Sequence, residues 1–273
     1  MDVLTFLRSL GRIMAGRPRI PVALNDNAML RTILERRSVR SFTRQPIADD
    51  AFSAILEAGR LAPSTVNLQS WTFSVHDAAS WQAAFSRPIP FKAQRAVIVM
   101  GDFHRIRGVI TDFAESPLVD YTTAVMNASL AAMAMNLAAE ALGVASVMLS
   151  ETGRTGLLDA GYLKGVLCLP EQVFPIMTIV FGYPARAYPP MPPKLSLETI
   201  CMDGQYREPD AQTMRDWLDE MKAGYKTEHL NSSFDAQLRL YERKLARAES
   251  DLQRMIYFKS AGQPANNLPP DAG

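Results

Sequence analysis

The amino-acid sequence predicts an α+β protein, a mixed α/β sandwich in which helices alternate with four strands. Segments with a helical spacing of apolar residues alternate with short apolar runs that end at glycine or at polar residues. A long alanine-rich segment, residues 122–142, is apolar on nearly every face. Such a helix must be covered on every face, as it would be at the centre of a domain or of a dimer.

The predicted elements begin with two helices. The first covers residues 27–37, and the second begins at the acidic residue Asp49 and is closed by Gly59 and Pro63. The other predicted elements are strands at 71–76, 96–100, 145–149 and 173–181, the alanine-rich helix that stops at Gly143, and a helix at 157–167.

The chain divides into four predicted regions. Residues 1–26 form an amphipathic arm, residues 27–200 the core domain, residues 201–258 a helical extension, and residues 259–273 a tail that we expect to be flexible. Arginines interrupt the apolar residues of the arm, which argues against a signal peptide, and an arm lying on its own fold is favoured over a transit peptide.

The second helix of the extension carries an apolar seam. Its apolar residues recur at alternating spacings of four and three, at Phe234, Leu238, Tyr241, Leu245, Ala248, Leu252 and Met255. A seam of this kind meets another helix. Packing across a dimer is favoured over packing on the chain's own core, but periodicity alone does not name the partner.

Composition excludes several classes of function. The chain has 273 residues, is 48% hydrophobic and has a formal net charge of +1, so a globular protein without the basic footprint of a nucleic-acid binder is indicated. We expect no membrane span, because no segment is long and apolar enough. We expect no metal site, because the two cysteines and three histidines lack metal-ligand spacing. A cytoplasmic location is expected, because the two cysteines do not suggest a disulfide framework. The signatures of Rossmann, P-loop, serine-hydrolase and zinc-protease enzymes do not occur in the sequence. Small molecules are the expected partners.

The first candidate binding segment is a basic cluster that follows the first helix. Arg36, Arg37 and Arg40 surround Ser38, and their guanidinium groups with the hydroxyl suit a phosphate dianion. Taken alone, a solvated run of charges is the more common explanation.

The second candidate segment is the loop at residues 62–71. It contains Asn67 and Gln69, whose amides both donate and accept hydrogen bonds and therefore match the pyrimidine edge of a flavin. An ordinary polar turn is the alternative for this loop by itself.

Together the two segments resemble the nitroreductase family, in which an Arg-x-Ser-x-Arg/Lys motif precedes a loop like Ala-Pro-Ser-x-x-Asn-x-Gln-x-Trp. The resemblance extends over about residues 27–200 and includes the end of the alanine-rich helix, a Leu-Pro-Glu turn, a Gly-Tyr-Pro-Ala turn and the proline-rich approach to Lys194. The matching residues of the two motifs are Arg36, Ser38, Arg40, Pro63, Ser64, Asn67, Gln69 and Trp71.

The resemblance implies a nitroreductase-like fold, with a central, mostly antiparallel sheet flanked by helices, and an intertwined homodimer with FMN at the interface. It also implies that NADH or NADPH delivers hydride to flavin N5 and leaves before a small conjugated acceptor, such as a nitroaromatic or a quinone, takes its place. No catalytic side chain is expected, because the cofactor supplies the chemistry.

The resemblance assigns the phosphate of FMN to the basic segment. Arg36 and Ser38 would hold it together with Lys194, and Arg37 belongs to the same segment. Arg40 would lie nearer N1 and O2 of the ring, where a fixed positive charge stabilises negative charge.

The ring and the ribityl chain are assigned to the polar loop. Asn67 and Gln69 would bond the flavin or its ribityl chain. Pro63, Ser64 and Thr65 would reach the FMN of the partner subunit.

The sequence departs from the family pattern at two places. After the third strand this chain has Ser150-Glu151-Thr152-Gly153, of which Glu151 and Gly153 match a family pattern that places backbone over the ring, and Glu151 is included as a candidate. The chain also continues well past residue 200. The same scaffold also resembles relatives with other flavin chemistry, so one alternative is an FMN enzyme acting on a dedicated metabolite, by reductive dehalogenation or oxidative desaturation. A second alternative, favoured only by the apolar seam, is a non-catalytic flavin-binding interaction protein.

Overall fold

The computed structural model describes residues 3–112, 114–150, 154–228 and 232–257. Glu151 and the tail at 259–273 lie outside the described residues. The described helices are α1 (Val3–Ala15), α2 (Ala28–Glu35), α3 (Asp49–Arg60), α4 (Ala78–Phe85), α5 (His104–Val109), α6 (Pro117–Ala141), α7 (Ala160–Val166), α8 (Leu197–Ile200), α9 (Ala211–Glu228) and α10 (Phe234–Ile256).

The four predicted strands are confirmed, and they form one antiparallel sheet. The strands are β1 (Trp71–His76), β2 (Arg95–Asp102), β3 (Ala145–Leu149) and β4 (Val173–Gly182). They lie in the order β1-β2-β4-β3, and each neighbouring pair is antiparallel. The predicted mixture of helices with a mostly antiparallel sheet is therefore confirmed.

The first helix ends earlier than predicted. The side chain of Asn27 caps α2 by accepting a hydrogen bond from the backbone N–H of Leu30. At the other end, Arg36 already has an extended backbone, with φ −51° and ψ 138°. The basic segment therefore leaves the helix as an extended strand-like stretch.

Helix α3 ends at Arg60, between Gly59 and Pro63, the two residues predicted to close it. Helix α3 runs through Gly59 to Arg60, and Gly59 is buried. A Cβ atom at Gly59 would lie 2.7 Å from Cγ of Met135 on α6. The glycine is needed for the close approach of two helices, and this requirement cannot be distinguished from a helix stop in the sequence.

Helix α6 is the centre of the core. It begins at Pro117, earlier than predicted, and ends before Gly143, whose φ of +70° confirms the predicted stop. One side of α6 packs on α3 and on the sheet through a row of fully buried small residues and one methionine: Ala124, Ala128, Ala131, Ala132, Met135 and Ala139.

The opposite side of α6 is apolar and exposed in the single chain. We call this surface the outer face of α6; it consists of Val119, Met126, Leu130 and Met133. Monomeric proteins rarely leave a contiguous apolar surface uncovered. The sequence predicts that α6 is covered on every face, but within the single chain only one side of the helix is covered.

The helices from the two ends of the chain pack on each other. Helix α1 lies against α9, and Nη1 of Arg12 is 2.8 Å from Oε1 of Glu220. The C-terminal part of the seam on α10 packs on the chain's own core, because Ala248 and Met255 are buried and Leu252 packs against the core cluster. The remaining apolar seam residues at the centre of α10 are exposed, at Leu238, Tyr241 and Leu245.

The close packing of α6 on the sheet gives the first testable prediction. A Cβ atom at Gly101 of β2 would lie 2.6 Å from Cβ of Ala124. Gly101→Ala should therefore lower the free energy of unfolding by about 1–3 kcal/mol, which urea denaturation would measure. Gly108→Ala on α5, where nothing lies within 4 Å, is the control and should not destabilise. Equal stability of the two variants would contradict the packing described here.

Candidate functional site

A cleft of about 450 Å³ opens where the basic segment leaves α2. The wall formed by the basic segment carries Arg36, Arg37, Ser38 and Arg40, and Lys194 reaches the same cleft from the proline-rich segment. The remaining wall is apolar and consists of Ile13, Ile33, Leu34, Pro189, Pro190, Met191, Pro192, Pro193, Met221, Gly224, Tyr225 and Phe234. Five residues predicted to bind FMN, from two distant segments, thus share one cleft.

The basic segment is fixed to the edge of the sheet. Ser38 forms a parallel bridge with Ser146 of β3, and the backbone N–H of Val39 donates to the carbonyl oxygen of Ser146 at 3.1 Å. Val39 is buried, whereas its neighbours Ser38 and Arg40 line the cleft. The hydroxyl of Ser146 in turn accepts a hydrogen bond from Nδ2 of Asn136 at 2.7 Å. We call Arg36, Arg37, Ser38 and Arg40 of the basic segment the clamp. Its position depends on α6 through β3.

Arg37 has a structural role in addition to its place on the cleft. Its Nη1 atom donates to the backbone oxygens of Leu34 at 2.9 Å and Arg36 at 2.8 Å, at the C-terminal end of α2. Such donors satisfy carbonyl groups that a helix end leaves unpaired. Burial lowers the pKa of Arg37, and the positive charge of Arg36 lowers it further.

The sequence analysis did not identify two residues beside the clamp, Glu140 and Tyr188. Burial raises the pKa of Glu140, while a hydrogen bond from Tyr188 and the charges of Arg36 and Arg37 oppose this rise. Burial and the neighbouring carboxylate raise the pKa of Tyr188 to about 12. A carboxylate in an otherwise apolar helix was the signal available in the sequence. Glu140 offsets part of the positive charge of the clamp.

The polar loop at residues 62–71 does not line this cleft within the single chain. Its backbone is unusual, because Val66, Asn67 and Gln69 all have positive φ. Asn67 and Gln69 are exposed, as are Pro63 and Thr65, and Ser64 is half-buried. The chain alone therefore brings together the residues predicted for the phosphate and Arg40, but not the polar-loop residues predicted for the ring and the ribityl chain.

Asn127 of α6 holds the polar loop in place. Its Oδ1 atom accepts from the backbone N–H of Thr65 at 3.1 Å, and its Nδ2 atom donates to Oγ of Ser70 at 2.8 Å. Within the loop, Oγ of Ser64 accepts from the backbone N–H of Gln69 at 3.0 Å. Asn127 is buried, and its partners could not be identified from the sequence because they lie far away along the chain.

The described residues contain no group of histidine, cysteine, aspartate or glutamate side chains able to hold a metal ion. Both cysteines, Cys168 and Cys201, are free and exposed. In the same part of the chain, no helix has the length and apolarity needed to cross a membrane.

Comparison with known proteins identifies the family. The family model described as "Nitroreductase family" matches residues 33–183, which is more than half of the chain. The chain belongs to the nitroreductase family. The resemblance found in the sequence is thereby confirmed, and the matched region includes both candidate binding segments but not Lys194 or the terminal helices.

Individual relatives agree with this assignment. The chain is 27% identical over 221 residues to the FMN reductase (NAD(P)H) of Bacillus subtilis strain 168, which covers 75% of the chain and 85% of the relative. It is 30% identical over 160 residues to a protein of Archaeoglobus fulgidus named putative NADH dehydrogenase/NAD(P)H nitroreductase, covering 57% of the chain and 84% of the relative. The structure of NfrA2 from B. megaterium superimposes with a TM-score of 0.70 at 20% identity, covering 84% of the chain and 98% of NfrA2, which confirms the fold.

Proposed function

We propose that this nitroreductase-family protein reduces a small conjugated acceptor, such as a nitroaromatic or a quinone, with electrons from NADH or NADPH and with FMN as the bound carrier. Family membership supports an oxidoreductase. The names of the relatives from B. subtilis and A. fulgidus support FMN and NAD(P)H as the cofactors. A cytoplasmic location stays a prediction.

One observation carries the FMN assignment: Arg36, Ser38 and Lys194 line a single cleft of about 450 Å³. Guanidinium, hydroxyl and ammonium groups are the donors that phosphate sites use. A cleft of this volume lies within the range of cofactor sites, about 300–1,000 Å³. The residues present therefore fit a flavin mononucleotide.

The chain's own residues bind and orient, and FMN when bound supplies the hydride chemistry. Arg36, Ser38 and Lys194 would hold the phosphate. Arg40 would place a fixed positive charge beside the ring, where it stabilises negative charge that develops during reduction. No nucleophile or general base is required of the protein, so precise placement of the reactants is its contribution.

The non-catalytic alternative was based on the apolar seam of α10. Ala248, Leu252 and Met255 of that seam pack on the chain's own core, so the seam does not require a separate partner along its whole length. The relatives' names support an enzyme over this alternative.

The assembly proposed is a homodimer that uses the outer face of α6. A second copy would cover Val119, Met126, Leu130 and Met133, which the single chain leaves exposed. The polar loop is tied to Asn127, the residue next to Met126. A partner seated on this face would thus meet the loop, which supports the assignment of Pro63, Ser64 and Thr65 to the cofactor of the other subunit.

The phosphate assignment is tested by Arg36→Ala. The variant should bind FMN more weakly by about 1.5–3 kcal/mol, the range for a hydrogen bond to a charged group, in a titration that follows flavin fluorescence. Arg31→Ala is the matched control, because Arg31 lies on α2, the helix that precedes Arg36, is exposed and pairs with Glu35 rather than lining the cleft. Wild-type affinity in the Arg36 variant would show that the phosphate binds elsewhere.

The proposed mechanism predicts ping-pong kinetics. Nicotinamide and acceptor would use the same open face of the ring, so each must leave before the other binds. Initial rates measured against NADPH or NADH at several fixed acceptor concentrations should give parallel double-reciprocal lines. Intersecting lines would indicate a ternary complex and a separate nicotinamide site.

The proposed dimer is tested by Leu130→Glu. Burial of one leucine side chain contributes about 1.5–3 kcal/mol, and a buried unpaired carboxylate adds a penalty, so sedimentation should show dissociation at concentrations at which the wild type is dimeric. Val75→Glu on β1 is the control, since Val75 is 44% exposed and Leu130 is 46% exposed. The assignment fails if both variants keep the wild-type assembly.

A further inference from the structure

Lys194 reaches the cleft on a proline-rich segment that has few backbone donors with which to attach itself to the rest of the fold. We call residues 189–194 the strap. Pro189, Pro190, Pro192 and Pro193 remove four backbone donors from it. Its position therefore depends strongly on what the strap packs against.

The strap packs against α9 at a glycine. A Cβ atom at Gly224 would lie 3.2 Å from Cδ of Pro193, the residue before Lys194, and 3.3 Å from Cδ1 of Ile13 on α1. Both distances are shorter than ordinary van der Waals contact. A Cβ atom at position 224 would require Pro193 or Ile13 to shift by a few tenths of an ångström, and a larger, β-branched side chain would require a larger shift.

Helix α9 is itself fixed on both sides. The ring of Tyr225 packs edge-on against Phe234 of α10 with centroids 5.9 Å apart, and its hydroxyl donates to Oε1 of Gln237 at 3.3 Å. On the other side, Arg12 of α1 pairs with Glu220 at 2.8 Å. Contacts on both sides thus hold the surface on which Pro193 rests.

We propose that Gly224 is a positioning residue of the phosphate site, which allows Pro193 to seat on α9 so that Lys194 stays on the cleft with Arg36 and Ser38. This inference rests on the proposed function. The family model matches residues 33–183 only. If the proposal holds, helix α9, which lies outside that range, helps to position a residue that binds the cofactor.

The test compares Gly224→Val with Lys194→Ala in the full chain. Lys194→Ala should weaken FMN about tenfold or more and reduce the dependence of FMN affinity on ionic strength, because a charged contact to the phosphate is lost. Gly224→Val should also weaken FMN binding and reduce its dependence on ionic strength. The affinity for riboflavin, which has no phosphate, should stay unchanged in this variant. The double variant should bind FMN no more weakly than Lys194→Ala alone.

Gly11→Val on α1 is the matched control, since it makes the same change in a helix where nothing lies within 4 Å, and it should keep wild-type FMN affinity. If the valine variant at position 224 does not fold, Gly224→Ala should give the same pattern to a smaller extent.

Additive losses in the double variant, or wild-type salt dependence in Gly224→Val or Gly224→Ala, would overturn the inference. The proposed function fails separately, by a different result: a wild-type protein that binds FMN no more tightly than riboflavin at any ionic strength.

Discussion

The structure depends on how closely α6 can approach the sheet. Its buried face consists largely of alanine, and the contact between Gly101 and Ala124 leaves no room for one more methyl group. At that distance, short polar side chains on α6 reach the segments on either side. Asn127 bonds the polar loop at Thr65 and Asn136 bonds Ser146, to which the basic segment is attached. Glu140 lies beside Arg36 and Arg37. One helix therefore positions both segments that we propose bind FMN.

The charges around the cleft indicate a site suited to a bound anion. Arg36, Arg37, Arg40 and Lys194 line it together, and repulsion from Arg36 contributes to the lowered pKa of Arg37. Glu140 offsets this repulsion only in part, because one carboxyl group faces several cationic side chains. A phosphate dianion would relieve the remaining repulsion and accept hydrogen bonds from several donors. Binding of the anion and stability of the folded clamp are thus coupled.

Much of the fold and half of the site could be predicted from local sequence. Periodicity located the strands, and the glycine after the alanine-rich run located the end of α6, since both signals depend on neighbouring residues. The packing role of Gly59 could not be predicted, because a glycine that admits Met135 and a glycine that ends a helix look alike in the sequence. Glu140, Tyr188 and Asn127 were missed for a related reason. Their partners lie far along the chain, and only the folded packing brings them together.

The two halves of the site also differ in what completes them. The phosphate half is assembled within one chain, where β3 and the strap bring Ser38 and Lys194 to one cleft. The polar loop has a fixed backbone with several positive φ values, but it exposes Asn67 and Gln69 away from that cleft. Strained backbone of this kind persists when neighbouring contacts hold it, and functional loops often contain it. Asn127 supplies such a contact at the edge of the exposed outer face of α6. A second chain on that face would cover the apolar surface and bring a loop to the cofactor in the same step, so dimerisation and completion of the site would be one event.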